Sequence, residues 1–126
     1  MRHPKFLRLA EGYAAGSNYV RWPMGAVLVR GGRVLSGAAN NIRNPANMDG
    51  VAFENCSVHA EIAALKRAKH THGATIYVAR LMRTGSTGLA KPCDRCQRDL
   101  IAAGVRQAIW TIDDYSYGTT IFRGIR

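Results

Sequence analysis

Two short stretches of the sequence contain residue types that bind transition metals. Cys93 and Cys96 form a C-x2-C motif where one helix-forming run begins, and His59 stands where another begins. Two thiolates and one imidazole are a common ligand set for zinc, and three protein ligands leave the fourth tetrahedral position for water. The residue types and their spacing therefore predict a zinc site of the catalytic kind.

Glu61 follows His59 by two residues, so the two side chains diverge by about 200° on a regular helix. Glu61 is therefore not expected to bind the same ion as His59, but from the first turn it can reach a group beside the ion. A carboxylate next to zinc-bound water, whose pKa falls to about 7, can take a proton and return it to a leaving group. The arrangement predicts general acid/base catalysis at a metal.

Two other interpretations of the cysteines stay open at this point. Cys56 stands three residues before His59, so it could complete a four-ligand, closed and purely structural zinc site. Cys93 and Cys96 could instead form a redox pair of the thioredoxin kind. Neither of these interpretations gives Glu61 a role.

The remaining patterns predict the elements that must bring these residues together. Residues 4–15 have the apolar spacing of a helix, and residues 24–39 predict two strands joined by a Gly-Gly turn that suits a tight hairpin. Residues 40–56 predict a loop, and Ser57 is expected to cap the helix that follows it. The metal-binding residues are therefore predicted to lie at the starts of helices.

The second half of the chain predicts a strand at 74–81, a helix at about 94–103 and a strand at 106–112. Only fourteen residues follow that strand, too few for a parallel crossover, so the last strand is expected to return as an antiparallel partner. This order predicts an α/β fold: a three-layer α/β/α sandwich with a mixed five-stranded sheet, in one domain of residues 1–126.

Charge limits the class of partner. Eighteen basic residues face eight acidic ones, which gives a net charge of +10, and fourteen of the eighteen are arginine. Because the planar arginine group suits phosphate, this excess favours an anionic partner, either a nucleotide or a nucleic acid strand. Genomic codon composition would give the same excess without any such partner.

The amino-terminal residues contain no apolar run of the length that a signal peptide or a membrane span needs. We therefore expect a cytoplasmic protein with no membrane partner. Aromatic side chains that flank predicted loops could stack on a base, although an aromatic residue near a turn more often belongs to the core. They are Trp22, Phe53 and Tyr115.

The letters HAE at 59–61 and PCDRC at 92–96 match the H-x-E…P-C-x-x-C signature of the zinc nucleobase deaminases. On these residues, and on the order of elements from about Met24 to Ile112, the sequence resembles the cytidine and deoxycytidylate deaminase superfamily. The resemblance implies that the histidine and both cysteines hold Zn2+. It also implies that Glu61 moves the proton while activated water attacks the amine-bearing ring carbon and ammonia leaves.

The resemblance extends to substrate contacts. An asparagine after the second strand holds the sugar or base in this superfamily, and Asn40 matches it best, with Asn41 next. Ala60 and Pro92, which adjoin the metal-binding residues, are expected to contact the substrate as well. Because many relatives assemble into dimers or tetramers, a homo-oligomer is also expected.

The expected substrate is a cytosine-bearing nucleotide or nucleoside of the deoxycytidylate or cytidine type, converted to its uracil form. The short tail resembles the nucleoside-deaminase branch, which usually has cysteine where this chain has His59, so the size of the substrate stays open. Two alternatives stay open too. One is a deaminase that acts on cytosine or adenine in single-stranded DNA or RNA, and the other is a non-catalytic binding module stabilised by zinc.

Overall fold

The computed structural model describes residues 3–19, 21–42 and 57–122. In chain order the elements are α1 (Lys5–Ala15), β1 (Met24–Arg30), β2 (Arg33–Ala39), β3 (Asn41–Ile42), β4 (Ser57–Val58), α2 (Ala60–Arg67), β5 (Thr75–Leu81), β6 (Thr87–Gly88), α3 (Asp94–Ala102), β7 (Gln107–Asp113) and β8 (Ser116–Ile121).

A mixed sheet runs through the middle of the fold, with its long strands in the order β2-β1-β5-β7-β8. Strands β5 and β7 are parallel, and the other neighbouring pairs are antiparallel. The predicted α/β fold with a mixed sheet of five strands is confirmed by these long strands, including the antiparallel return of β8. The short strand β6 adds a sixth, and β3 pairs with β4 in a separate two-stranded ladder.

Helices cover both faces of the sheet, which confirms the three-layer sandwich. Alternate residues of β1 and β5 point to opposite faces, as the period of two in a strand requires. On one face α1 packs against Val27, Val29 and Ala79. On the other face α2 and α3 enclose the larger part of the core, which includes Ala26, Leu28, Ile76, Val78, Ala64 and Leu100.

The hairpin between β1 and β2 turns at the two glycines that the sequence pointed to. Gly31 and Gly32 have φ values of 58° and 77°, a region that residues with a side chain rarely adopt. Two successive positive φ values are typical of the turn that joins twisted antiparallel strands through two residues. The turn sets the β1–β2 pairing that carries the chain to Asn40.

Helix α2 begins later than the sequence predicted. Ser57 does not cap it, because Ser57 and Val58 form β4 and pair with Ile42 and Asn41 of β3. The residue at the cap position is His59. The strand pairing thus places a metal-binding side chain at the cap position, where a serine was expected.

No helix in the described ranges is both long and apolar enough to cross a membrane.

Gly25 of β1 lets α1 lie directly on the sheet. A Cβ atom at this position would overlap the Ala10 carbonyl oxygen and lie 2.5 Å from the Ala14 backbone nitrogen. Both are backbone atoms of α1, so they cannot move aside without moving the helix. The close approach of α1 to β1 therefore depends on this glycine.

We predict that Gly25→Ala lowers the free energy of unfolding by roughly 1–3 kcal/mol or more, because the added methyl group forces α1 away from the sheet. Gly12→Ala is the matched control: Gly12 lies within α1 with nothing within 4 Å of its added Cβ. Alanine there should raise stability by up to about 1 kcal/mol through helix propensity. Urea unfolding of both variants measures the difference, and equal midpoints would contradict this packing.

Candidate metal centre

Two helices begin close together, and each begins at a residue with a metal-binding side chain. His59 precedes α2 and Cys93 precedes α3, and both have an extended backbone. Their carbonyl oxygens accept the first helical hydrogen bonds, from the nitrogens of Ala63 and Gln97 at 3.0 and 2.9 Å. Neither side chain caps its own helix. Imidazole and thiol are therefore both free to bind a third group.

His59, Cys93 and Cys96 bring their ligand atoms within 4.8 Å of one another. His59 Nδ1 lies 3.2 Å from Cys96 Sγ and 3.9 Å from Cys93 Sγ. Zinc bonds of about 2.0 Å to nitrogen and 2.3 Å to sulfur, at tetrahedral angles, put such atoms about 3.5–3.8 Å apart. The observed distances bracket that range, so the group fits zinc.

The three side chains differ in burial. Cys96 is buried at 1% exposure, His59 is half-buried and Cys93 is exposed. Burial raises the pKa of the Cys96 thiol, and the nearby Glu61 carboxylate raises it further. A bound cation favours the thiolate and opposes both effects. The site is therefore open to solvent at Cys93. On its buried side, a bound cation would stabilise the thiolate of Cys96.

Glu61 is only 2% exposed and lies in the first turn of α2. Burial raises the pKa of its carboxyl above the usual value, while its own backbone N–H, the His59 charge and a hydrogen bond with Cys96 act in the opposite direction. The carboxyl therefore lies beside Cys96 and within electrostatic reach of His59. A buried carboxyl of this kind can hold a proton close to a reacting group.

Asn40, which the resemblance relates to the sugar or base, is held by several hydrogen bonds within the protein. It is 5% exposed, and its Oδ1 accepts hydrogen bonds from Met24 N at 3.0 Å and Ser17 Oγ at 2.5 Å. Its Nδ2 donates to the Trp22 carbonyl oxygen at 2.8 Å. Asn40 thus fixes the start of β1.

The other predicted substrate contacts adjoin the metal-binding residues. Asn41 is exposed and pairs with Val58, the residue before His59. Ala60 is fully buried in the core. Pro92 is buried beside Cys93, and its carbonyl oxygen accepts a hydrogen bond from Gln97 Nε2 at 2.8 Å.

The sequence left the role of Cys56 open between a fourth metal ligand and a residue outside the site. Cys56 lies outside the described residues.

Sequence reasoning missed Arg80 near the end of β5. Its guanidinium carbon lies 3.3 Å from the ring centroid of Trp22, a side chain that is 47% exposed. A charged residue in the otherwise apolar run ATIYVARL was the signal that could have identified it.

Comparison with known families gives one match, to the family described as the cytidine and deoxycytidylate deaminase zinc-binding region. The match spans residues 1–112, which is most of the chain and includes all three candidate metal ligands. No curated protein sequence matches the chain significantly.

Several solved structures share the fold. A cytidine deaminase from Burkholderia pseudomallei aligns with a TM-score of 0.71 at 21% identity, covering 96% of this chain and 93% of its own. A dCMP deaminase from the cyanophage S-TIM5 aligns with a TM-score of 0.64 at 22% identity, covering 83% and 78%. A deaminase that edits adenosine to inosine at the wobble position of transfer RNA aligns with a TM-score of 0.53 at 27% identity, covering 83% and 72%.

We predict that the purified protein contains about one zinc ion per chain and that Cys96→Ser and His59→Ala each lose most of it, because three ligands become two. Metal analysis after gel filtration measures the ratio. Cys56→Ser is the matched control and should keep its zinc. If Cys56→Ser instead loses zinc as Cys96→Ser does, the site is the closed, four-ligand kind.

Proposed function

The chain belongs to the cytidine and deoxycytidylate deaminase family, and from that membership we propose that it is a zinc-dependent hydrolase of cytosine-bearing nucleotides or nucleosides. The reaction consumes water, replaces the ring amino group with oxygen and releases ammonia, so cytosine becomes uracil. The observation that carries this proposal is the buried carboxyl of Glu61 beside the His59, Cys93 and Cys96 group. A purely structural metal site does not require a buried carboxyl group that is not itself a ligand.

The three ligand side chains would hold the ion between the starts of α2 and α3. Zinc, when bound, supplies a Lewis acid that makes water nucleophilic near neutral pH. Glu61 carries out the proton transfers. One of its carboxylate oxygens takes a proton from the attacking water, delivers it to the ring nitrogen and then assists protonation of the leaving amino group.

Burial of Glu61 supports this cycle. The carboxyl must hold a proton during part of each turnover, and burial makes the protonated form more favourable. The first turn of α2 holds the side chain against Cys96, so little reorganisation is needed during proton transfer.

For substrate contacts we propose the groups nearest to the ligands. The exposed Asn41 and the amide of Asn40 could bind sugar hydroxyls. The backbone at Ala60 and Pro92 lies next to the ligand residues and could bind the edge of the base. Asn40 also acts as a positioning residue, because it holds the Trp22 carbonyl.

A second candidate function is deamination of a base within a nucleic acid strand. The net charge of +10 favours it, as do the exposed Arg95 and Arg98 on the helix that begins after Cys93. A strand crossing the open side of the site would meet these cations, and bases that flank the target could stack on Trp22.

We further propose a homo-oligomer in the cytoplasm. Support for assembly comes from β8, whose Tyr117 and Ile121 are 49% and 67% exposed on the sheet face that also carries α1. Large apolar side chains that alternate along an edge strand favour burial against another surface.

We expect ammonia release from cytidine, deoxycytidine or deoxycytidylate by the zinc-loaded protein, because the family is named after cytidine and deoxycytidylate. The panel also includes free cytosine, adenosine and single-stranded DNA and RNA oligonucleotides, with mass spectrometry of each product. Turnover of the oligonucleotides alone would favour the second candidate function. If the zinc-loaded protein turns over none of these substrates, the remaining interpretation is a non-catalytic binding module.

We predict that Glu61→Gln keeps its zinc but loses about 10²- to 10⁴-fold in turnover, because the amide cannot move the proton. Metal content and steady-state rate are measured on the same preparation. Asp94→Asn is the matched control, since Asp94 is an exposed carboxylate in the first turn of α3. It should keep both zinc and rate, and a Glu61→Gln variant with the full rate would refute the assigned role.

A further inference from the structure

Arg80 is a cation whose side chain lacks a hydrogen-bonding partner among the described residues. Its Nε is buried without an acceptor, and within those residues it is the sole buried side-chain nitrogen or oxygen in that state. No carboxylate of the described residues lies within ion-pair distance of it. Burial lowers the pKa of the Arg80 guanidinium, which still stays charged in proteins. Within the described residues, therefore, no carboxylate neutralises this charge and no acceptor satisfies Nε.

Trp22 holds the guanidinium in place of an acceptor. The guanidinium carbon of Arg80 lies 3.3 Å from the centre of the indole ring. The ring is anchored through its own backbone: Trp22 N donates to the Tyr19 carbonyl, and the Trp22 carbonyl accepts from Asn40 Nδ2. A guanidinium stacked on a ring directs its N–H bonds outward in its own plane, so stacking leaves its edge able to bind an oxyanion.

Arg80 lies near the end of β5, at the end of the sheet where the metal centre also lies. Ile76 and Val78 pack against α2 and α3, so Arg80, two residues further along β5, points to the same face. Arg80 pairs with Met24 of β1 and Gly88 of β6. The chain runs from Gly88 to Cys93 in five residues. The cation thus lies at the end of the sheet where α3 begins.

We propose that Arg80, stacked on Trp22, binds the phosphate of a nucleoside monophosphate and so makes the phosphorylated nucleotide the preferred substrate. This inference rests on the proposed function of the metal centre. An arginine edge offers several donors to phosphate oxygens, and hydrogen bonds between ions are stronger than those between neutral groups. The unpartnered Nε, the indole stack and the location at this end of the sheet together support a phosphate ligand.

The Arg80→Met variant keeps an apolar side chain of similar length but removes the charge and the donors. For the zinc-loaded protein we expect KM for deoxycytidylate to rise about 10- to 100-fold, because ion-assisted hydrogen bonds are lost. KM for deoxycytidine should change by less than about twofold, since it has no phosphate. Assays of ammonia release with both substrates measure the difference.

Arg83→Met is the matched control, because Arg83 is an exposed arginine three residues further along the chain. It should alter neither KM. Arg80→Lys keeps the charge but not the planar edge, so its KM for deoxycytidylate should fall between those of the wild-type protein and Arg80→Met. If Arg80→Met fails to fold, Arg80→Lys carries the test, with a raised KM for deoxycytidylate alone as the expected result.

Equal increases in KM for deoxycytidylate and deoxycytidine would overturn the proposal and leave Arg80 a structural role. An effect confined to oligonucleotide substrates would also overturn it, because the phosphate would then belong to a strand backbone.

Binding of reaction products separates this inference from the proposed function. Calorimetry with deoxyuridylate and deoxyuridine should show tighter binding of the phosphorylated product to the wild-type protein and equal binding of both to Arg80→Met. If no substrate is turned over but this difference is observed, the proposed function fails and the phosphate site stands. If the wild-type protein binds both products equally, the phosphate site is refuted whatever the enzymatic result.

Discussion

The chemistry of this protein depends on the closeness of two helix starts. His59 and Cys93 are 34 residues apart in sequence, yet their ligand atoms are 3.9 Å apart. The sheet produces this closeness. The parallel pairing of β5 and β7 requires a crossover, which places the start of α3 at the end of β5, and the β3–β4 ladder delivers the chain to α2 at the same end. A rigid sheet can hold ligands within the few tenths of an ångström that a metal ion requires.

Burial behind the metal centre couples folding to metal binding. Cys96 and Glu61 are both almost fully buried, and burial raises the pKa of both. A cation between the helix starts favours the ionised forms and so offsets the cost of burying them. The exposed Cys93 and half-buried His59 leave the outer side open, which is where a substrate must enter.

A small hydrogen-bond network centred on Asn40 joins the ends of several elements. Its amide joins the end of β2 to the start of β1 and to the Trp22 backbone, while Ser17 closes the network from the end of α1. Trp22 in turn carries the Arg80 guanidinium. A residue first expected to touch substrate therefore has a structural task as well, because it holds the backbone of the residue on which Arg80 stacks.

Much of this protein follows from local sequence patterns. The Gly31-Gly32 turn, the alternation in β1 and the return of β8 are properties of short segments, because turn geometry and side-chain periodicity act over a few residues. The ligand set was also readable from the sequence, since its residue types and spacing are specific to zinc chemistry. Contacts between distant residues were not readable. Three features exist only once the strands have paired: the pairing of Ser57 with Ile42, the burial of the Asn40 amide and the stacking of Arg80 on Trp22. Each brings together residues that are far apart in the sequence, and local propensities do not predict such contacts.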